Sequence, residues 1–257
     1  MSEEQKFTCG ALRSPYNPKM LIAEKIYPKT KNLNLPTTLS YIEDMLPTRN
    51  QWNQGTCVAQ SCAAIKEWQE RKQVGFNDYM SPQFIYNHRA GYPSAGMWGS
   101  DAMEILTKYG CCSESIYAYG TIEPKENIKQ EAYDEAAKYK IQSFAQVTTI
   151  DGLKTALYKN GPCYIALPCY SHDPEWWKPI KDGDPCVGHG NCVVGYTTEG
   201  FLLRNSWGSG FNANSQYPGY SLLKYEDFDL IWEAFTCIDD QSPIPDKTTI
   251  TCKCNIL

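Results

Sequence analysis

The sequence predicts an α+β protein with two lobes, a mostly helical half followed by a mostly β half. Apolar residues recur at helical spacing from residue 57 to about 139, and short apolar runs separated by turns follow from about residue 140. The 257 residues, with 42% hydrophobic content, are enough for two lobes around a shared core. The cleft between two such lobes is the usual place for a functional site.

Four segments of the first half are predicted to be helices. In the first, Val58, Cys62 and Ile65 recur at a spacing of three or four residues. Ser81 and Pro82 provide an N-cap and a proline at the first helical position of the second. A glycine after the third is a C-cap signal. The four segments are 57–73, 82–90, 99–109 and 131–139.

Four apolar runs in the second half are typical of strands. They are 163–170, 191–196, 201–207 and 220–225. The residues TTEG at 197–200 join the second run to the third, as in a β-hairpin. We therefore expect these two strands to be antiparallel neighbours, with residues on either side of the turn folded back toward each other.

Charge and hydropathy argue against several classes of function. The net charge is −5, the pI is about 5.3, and no basic run is present, so we expect no nucleic-acid partner. No stretch approaches the ~20 apolar residues of a transmembrane helix. The start, MSEEQKFTCG, lacks the basic and apolar regions of a signal peptide. These features predict a cytoplasmic or virion-packaged protein.

The chain contains twelve cysteines, which is many for a protein of that kind. A secreted domain would pair most of them, whereas a cytosolic protein would keep its thiols reduced. No pairing follows from the sequence alone. Buried hydrophobic residues, disulfides and metal ligands therefore all stay open as roles for these side chains.

Residues from the two halves together have the chemistry of a thiol protease. Cys57 begins the first predicted helix, where the helix dipole favours a thiolate. His189 lies between two glycines before a strand and would act as the general acid. The turn at 197–200 brings Asn205 back toward His189, whose ring it would orient. Trp207 would shield this polar pair from water.

Several short motifs resemble those of the papain-like cysteine proteases. They are Gln51, GTC at 55–57, GH at 188–189, VVGY at 193–196 and NSWG at 205–208. The resemblance covers residues 35–240. His189 and Asn205 follow Cys57 by 132 and 148 residues, within the ~130–150 typical of the family. It implies a papain-like two-lobe fold with an antiparallel β-barrel-like lobe, and a cysteine endopeptidase that acts on polypeptides without a cofactor.

The resemblance also implies roles around the nucleophile. The Gln51 amide and the Cys57 backbone N–H would stabilise the oxyanion. The substrate cleft would be lined by Gly96, Met97, Trp98 and Gly188. The residues before Cys57 depart from the family's usual C-G-[SA]-C-[WY] and are closer to bacterial and viral members, whose signature resembles DQGNQGSC. In a second register Gln60 would take the nucleophile position, and the protein would be inactive.

We expect three parts along the chain. Residues 1–34 would be an N-terminal extension or short propeptide-like arm, and 241–257 a C-terminal tail. The catalytic domain at 35–240 would divide into a helical lobe at about 50–140 and a β lobe at about 141–240. Family members are commonly made as zymogens, so one hypothesis is that the arm lies across the cleft or packs on the β lobe, fastened by Cys9. A packed structural extension is the alternative.

Two other functions compete with the peptidase. Cys186, His189 and Cys192 form C-x2-H-x2-C, a spacing that would hold zinc with Cys163 or Cys169 as a fourth ligand. The protein would then be a zinc-binding module. The second is a catalytically inactive papain-like binding protein, because no tryptophan follows the nucleophile. The peptidase interpretation requires no metal.

The C-terminal residues CKCNIL raise the question of lipidation. Cys254 begins a C-a-a-X box whose final leucine favours geranylgeranylation, and Cys252 would carry a second lipid. Two incidental or disulfide-bonded cysteines are the alternative. We expect a membrane partner only if Cys254 is prenylated. We also expect the protein to be a monomer.

Overall fold

The computed structural model describes residues 8–27, 33–181 and 183–239, so the tail with Cys252 and Cys254 lies outside the described residues. The α-helices are α1 (Ala23–Ile26), α2 (Cys57–Val74), α3 (Pro82–Asn87), α4 (Gly99–Lys108), α5 (Gln130–Ala136) and α6 (Ile150–Asn160). The strands are β1 (Ala11–Leu12), β2 (Leu39–Ser40), β3 (Met97–Trp98), β4 (Ser143–Gln146), β5 (Cys163–Cys169), β6 (Val187–Tyr196), β7 (Gly200–Arg204), β8 (Tyr220–Lys224) and β9 (Glu233–Ile238).

A seven-stranded antiparallel sheet forms most of the second half. Its strand order is β4-β9-β5-β6-β7-β8, and β2 pairs separately with β6. The predicted hairpin is β6–β7, with Tyr196 opposite Phe201 and Cys192 opposite Arg204. The α+β organisation expected from the sequence is confirmed.

Helix α2 packs against the sheet and carries the proposed nucleophile at its first position. Its first fourteen residues are all buried. Cys62 is fully buried in the core, as its helical spacing with the apolar residues Val58 and Ile65 predicts. The helix ends at Gly75, whose φ of +71° is a left-handed conformation that favours glycine. None of the helices within the described ranges is long and apolar enough to cross a membrane.

The β half contains a helix that the sequence analysis did not predict. In α6, Leu153, Ala156 and Leu157 are buried at spacings of three and four residues. The Thr149 hydroxyl caps this helix by accepting the Gly152 N–H at 2.9 Å. Both signals are present in the sequence, among the strand-like apolar runs of this half.

The predicted strand 201–207 ends earlier than expected, so the prediction that Asn205 lies on a strand was wrong. Strand β7 stops at Arg204, and the chain then turns to pair with a different segment. The Gln51 N–H donates to the Ser206 carbonyl at 2.8 Å. The helix predicted at 131–139 likewise ends early, at Ala136.

The N-terminal segment makes two separate contacts with the rest of the protein. Strand β1 runs parallel to β3, which carries two of the predicted cleft residues. Residues 21–27 pack on the β half, where one Glu24 carboxylate oxygen accepts the N–H groups of Thr148 and Thr149 at 2.8 and 2.9 Å. These donors lie at the start of α6, where the helix dipole favours a negative charge.

Candidate active site

Cys57 lies at the N-terminus of α2 and is fully buried. A helix N-terminus places unpaired N–H groups and positive partial charge at the sulfur, which favours a thiolate. The Gly190 N–H, in strand β6, donates to this sulfur. A Cβ at Gly190 would lie 3.2 Å from the Val58 nitrogen. A glycine here therefore lets β6, with His189, approach the start of the helix.

His189 and Asn205 form a buried hydrogen-bonded pair. The His189 Nε2 lies 2.9 Å from the Asn205 Oδ1, which also accepts the Ser206 N–H at 2.7 Å. Because the Ser206 N–H can only donate, it identifies this Asn205 atom as an acceptor oxygen. The proton of neutral His189 must then be on Nε2. Its Nδ1, which has no hydrogen-bond partner in the described part of the protein, is left as the basic nitrogen.

Two tryptophans cover the His189 ring. The Trp207 ring stacks on it with centroids 4.4 Å apart and planes 16° apart. The Trp176 ring meets it edge to face at a centroid distance of 4.8 Å. Both tryptophans are almost completely buried, so they exclude water from the His189–Asn205 hydrogen bond. The sequence predicted this cover from Trp207, whereas no motif marked Trp176.

The Gln51 side chain is held with its amide nitrogen as a donor. Its Oε1 accepts the Ser206 hydroxyl at 2.5 Å, so Nε2 faces the opposite way. That nitrogen donates to the Thr8 carbonyl at 2.6 Å and to the Gln54 carbonyl at 2.9 Å. Arg49, two residues before Gln51, is paired with two glutamates and fixes this segment to the helical half. Gln51 therefore presents an N–H to a carbonyl oxygen, as an oxyanion donor would.

Burial shifts both titrating groups of the site toward their neutral forms. Burial raises the pKa of the Cys57 thiol, against the N–H groups of Gly190, Gly10 and Val58, which lower it. Burial lowers the pKa of His189 to about 3, against the hydrogen bond that His189 donates to Asn205, which raises it. Both shifts favour a neutral thiol at Cys57 and a neutral imidazole at His189.

The N-terminal arm causes part of this burial because it fills the cleft. The Gly10 N–H donates to the Cys57 sulfur, and its carbonyl accepts the Met97 N–H at 2.8 Å. A Cβ on Gly188 would lie 2.0 Å from the Ala11 carbonyl oxygen, and one on Gly96 would lie 3.1 Å from the Gly10 oxygen. Trp98, the fourth predicted cleft residue, pairs with the arm through Leu12. All four predicted cleft positions therefore contact the arm.

A buried carboxylate holds the arm further along the same groove. The Glu233 Oε2 accepts the Ser14 N–H at 3.0 Å, and Oε1 accepts the Gly99 N–H at 3.1 Å. Burial raises the pKa of Glu233, although the Ser14 contacts lower it. Beside it, the Arg13 guanidinium lies 4.3 Å from the centre of the Trp232 ring. No sequence signal marked Glu233 as part of the site.

The geometry does not favour zinc binding or the alternative register. Within the described ranges, no group of three His, Cys, Asp or Glu side chains is arranged to hold a metal ion. Cys192 lies three residues from His189 on one strand, so the two side chains point to opposite faces of the sheet. Cys186 is exposed, outside this buried region. Gln60 lies almost one turn beyond the first residue of α2, so it lacks the N-terminal position of Cys57.

The chain matches a known family over most of its length. The family described as papain family cysteine protease matches residues 37–226. Papain from Carica papaya is 23% identical over 228 residues, a match that covers 86% of this chain and 64% of papain. A cathepsin L-like proteinase from Phaedon cochleariae is 29% identical over 185 residues, covering 64% of this chain and 53% of that protein. The chain thus spans less than two thirds of the length of these two relatives.

Solved structures share the fold. Xylellain, a cysteine protease from Xylella fastidiosa, superposes with a TM-score of 0.73 at 22% identity, over 90% of this chain and 96% of that one. A procathepsin B from Trypanosoma congolense superposes with a TM-score of 0.71 at 17% identity, over 91% of this chain and 87% of that one. At these identities the likeness concerns the fold, which is the two-lobe α+β architecture expected from the sequence.

Proposed function

Because the chain belongs to the papain family of cysteine proteases, we propose that it is a cysteine endopeptidase whose nucleophile is Cys57. The Cys57 thiolate attacks the carbonyl carbon of the scissile peptide bond and forms an acyl-enzyme. The Gln51 amide and the Cys57 backbone N–H donate to the oxyanion. His189 gives its Nδ1 proton to the leaving amine and then accepts a proton from the water that hydrolyses the acyl-enzyme.

The hydrogen bonds of Asn205 are the observation that carries this proposal. Asn205 fixes the His189 proton on Nε2, which leaves Nδ1 free to exchange a proton with a thiol. The Gly190 N–H contact brings Cys57 to the residue that follows His189. A histidine with a purely structural role would not need an Nδ1 without a hydrogen-bond partner, whereas a general acid requires one.

We further propose that the arm at 1–34 keeps the peptidase latent and that 35–240 is the catalytic domain. The Thr8 carbonyl accepts the hydrogen bond of the Gln51 amide, and the Gly10 N–H donates a hydrogen bond to the Cys57 sulfur. Both groups are therefore already engaged by the arm. What contacts the sulfur is a donor N–H rather than a carbonyl carbon, so the docked arm offers no electrophile to attack. Substrate therefore enters only after the arm leaves the groove.

The proposed setting follows from composition and chemistry. The substrate is a polypeptide, the protein acts as a monomer without a cofactor, and it is active under reducing conditions because its nucleophile is a thiol. The net charge of −5 gives no support for nucleic-acid binding. The residues NQGTC at 53–57 support kinship with bacterial and viral members.

Labelling with an epoxysuccinyl thiol-protease inhibitor tests the nucleophile. We expect peptide mapping to find the label on Cys57 in reduced protein, and to find none in Cys57→Ala. His189→Ala should label at least about a hundredfold more slowly, because it cannot stabilise the thiolate. Cys186→Ser is the matched control, since it removes an exposed cysteine outside the site, and it should label like the parent protein.

Deleting residues 1–17 tests latency, because it removes the arm from the cleft and leaves α1 attached. We expect faster labelling and faster hydrolysis of an unstructured polypeptide. Label on another cysteine, or none in reduced and truncated protein, would instead favour the inactive binding protein. Equal labelling rates with and without residues 1–17 would reject arm-mediated latency and leave the peptidase proposal intact.

A further inference from the structure

Two thiols contact each other where the arm crosses the cleft. The Cys9 Sγ donates to the Cys169 Sγ at 3.3 Å. Cys9 belongs to the arm and Cys169 ends strand β5, so the contact joins segments 160 residues apart. A disulfide bond is about 2.05 Å long, so the two sulfurs need to approach by only about 1 Å.

Cys9 lies between the two arm residues that occupy the catalytic groups. The Thr8 carbonyl accepts from Gln51 Nε2, and the Gly10 N–H donates to the Cys57 sulfur. Because these two contacts flank Cys9 directly, holding Cys9 in place holds both of them. A covalent bond at this residue would therefore keep the oxyanion donor and the nucleophile covered together.

Cys169 provides a rigid partner for such a bond. It is buried and lies opposite Val187 in the β5–β6 ladder, and its sulfur also donates to the Ser171 carbonyl at 3.3 Å. The Cys9 side is more open, since Cys9 is only partly buried and Thr8 is exposed. A small oxidant can thus reach the pair from the arm side while the sheet holds the other sulfur still.

We propose that Cys9 and Cys169 form a reversible disulfide that locks the arm over Cys57 and keeps the peptidase latent until a thiol reductant opens it. The inference rests on the proposed peptidase function and adds to it a site of thiol–disulfide exchange. Its co-reactant is a low-molecular-weight disulfide such as oxidised glutathione.

The exchange is balanced without any other oxidant. The thiolate of one cysteine attacks a sulfur of oxidised glutathione, forming a mixed disulfide and releasing one glutathione thiolate. The second cysteine, as its thiolate, attacks the protein sulfur of that mixed disulfide and releases the second glutathione. Two protein thiols are oxidised, one glutathione disulfide is reduced to two glutathione molecules, and the two protons pass to the released thiolates. Reduction by a dithiol reverses these steps.

The Cys9–Cys169 disulfide, here called the latch, differs from non-covalent docking in what controls the release of the arm. An unlinked arm leaves the groove in equilibrium, so some active enzyme is always present, whereas a linked arm cannot leave until its disulfide is reduced. The hydrogen bond with Cys169, together with burial, raises the pKa of Cys9. The docked pair therefore stays as two thiols until an oxidant is supplied, and it reacts slowly when one is.

Equilibration of the full chain with graded mixtures of reduced and oxidised glutathione tests the latch. The variants are Cys9→Ser, Cys169→Ser and Cys169→Ala, with Cys186→Ser as the matched control. After quenching, non-reducing peptide mapping identifies cross-links, and the rate of Cys57 labelling by an epoxysuccinyl inhibitor reports cleft access. Thermal unfolding checks that each variant is folded.

We expect a Cys9–Cys169 cross-link in the parent and in Cys186→Ser. In both, labelling should be lost at an oxidised-to-reduced ratio at least about tenfold lower than in Cys9→Ser, and it should return with dithiothreitol. The Cys9→Ser variant should lose labelling only where glutathione attaches to Cys57 itself. If the Cys169 variants do not fold, the cross-link map of the parent and the labelling of Cys9→Ser still test the disulfide.

Three results would overturn the proposal: a cross-link from Cys9 to Cys57, glutathione on Cys57 with no Cys9–Cys169 peptide, or equal redox sensitivity of the parent and Cys9→Ser. The cross-link itself is also mapped in Cys57→Ala, where no activity is needed. If the cross-link forms but protein with Cys57 intact shows no hydrolysis after reduction and removal of residues 1–17, the peptidase is rejected and the disulfide is kept. Peptidase activity that oxidised glutathione does not lower would reject the disulfide and keep the peptidase.

Discussion

A single oxygen atom determines the protonation of the histidine in this site. The Asn205 Oδ1 accepts from His189 Nε2 and from the Ser206 N–H, and both donors are buried. The two bonds hold one tautomer, and the stacked Trp207 ring holds the plane of the imidazole. A donor that loses its acceptor inside a protein costs about 1–3 kcal/mol, so we expect this arrangement to affect stability as well as the proposed reactivity.

Replacing Asn205 separates these two effects. In protein lacking residues 1–17, we expect Asn205→Ala to lower kcat/KM by about 10²–10⁴-fold and the free energy of unfolding by about 1–3 kcal/mol. Asn205→Asp keeps an acceptor oxygen and should retain more activity, with the pKa of His189 raised by the added negative charge. Peptide hydrolysis against pH and urea unfolding measure the two. Equal activity losses in both variants would argue against an orienting role.

The arm docks through a contact between two backbones. A Cβ on Gly10 would lie 2.2 Å from the Gly55 carbonyl oxygen, so no larger residue fits without displacing one of the segments. Gly55 is two residues before Cys57, the proposed nucleophile, and its position is fixed by the helix that begins there. Because β1 has only two residues, its pairing with β3 contributes little to the stability of the docked arm. We therefore expect docking to depend on the close approach of Gly10 to Gly55.

The variant Gly10→Ala should release the arm under reducing conditions. Overpacking of this kind costs about 1–3 kcal/mol, so we expect Cys57 labelling in the full chain to accelerate roughly tenfold. Tyr16→Ala is the matched control, because Tyr16 is 90% exposed on the same arm. Labelling rates that rise equally in both variants would show that the arm loosens generally, and no change in Gly10→Ala would show that the contact does not limit docking.

At the scale of the whole molecule, the arm helps to bury both proposed catalytic groups, the Cys57 thiol and the His189 imidazole. It covers Cys57 from the helical half and lies against strand β6, which carries His189 from the β half. With the arm docked, burial raises the pKa of Cys57 and lowers that of His189 to about 3. Above that pH the imidazole is therefore neutral, and the thiol ionises only at alkaline pH.

Removing residues 1–17 should change the pH at which Cys57 becomes reactive. Water then reaches the sulfur, the pKa of the thiol falls, that of His189 rises, and an ion pair forms between them. We expect alkylation of Cys57 by iodoacetamide, followed by peptide mapping, to have an alkaline midpoint in the full chain. In the truncated chain the midpoint should lie below about pH 7. The pH midpoint is the informative quantity, because steric shielding by the arm would lower the alkylation rate equally at every pH. Equal midpoints in the full and truncated chains would show that the arm does not shift the pKa of Cys57.

Local sequence patterns predicted helix α2, the Ser81 cap and the β6–β7 hairpin correctly, because each depends on spacing within a few residues. They missed α6, although its Thr149 cap and its apolar spacing were present, and they extended β7 past Arg204. That last difference had no local signal, because Ser206 leaves the sheet to pair with Gln51, which is 155 residues away. The end of a strand can depend on a partner that the local sequence does not contain.

By itself, the sequence determined the α+β class and an ordered set of candidates, Gln51, Cys57, His189 and Asn205, because chemistry at a nucleophile limits which residue types and separations are useful. The tertiary structure alone decided what covers them. The arm in the groove, Trp176 over the imidazole, Glu233 beneath Ser14 and the Cys9–Cys169 contact join residues far apart in sequence. Such contacts arise only when the packed lobes bring distant backbones within a few ångströms, and no local pattern encodes them.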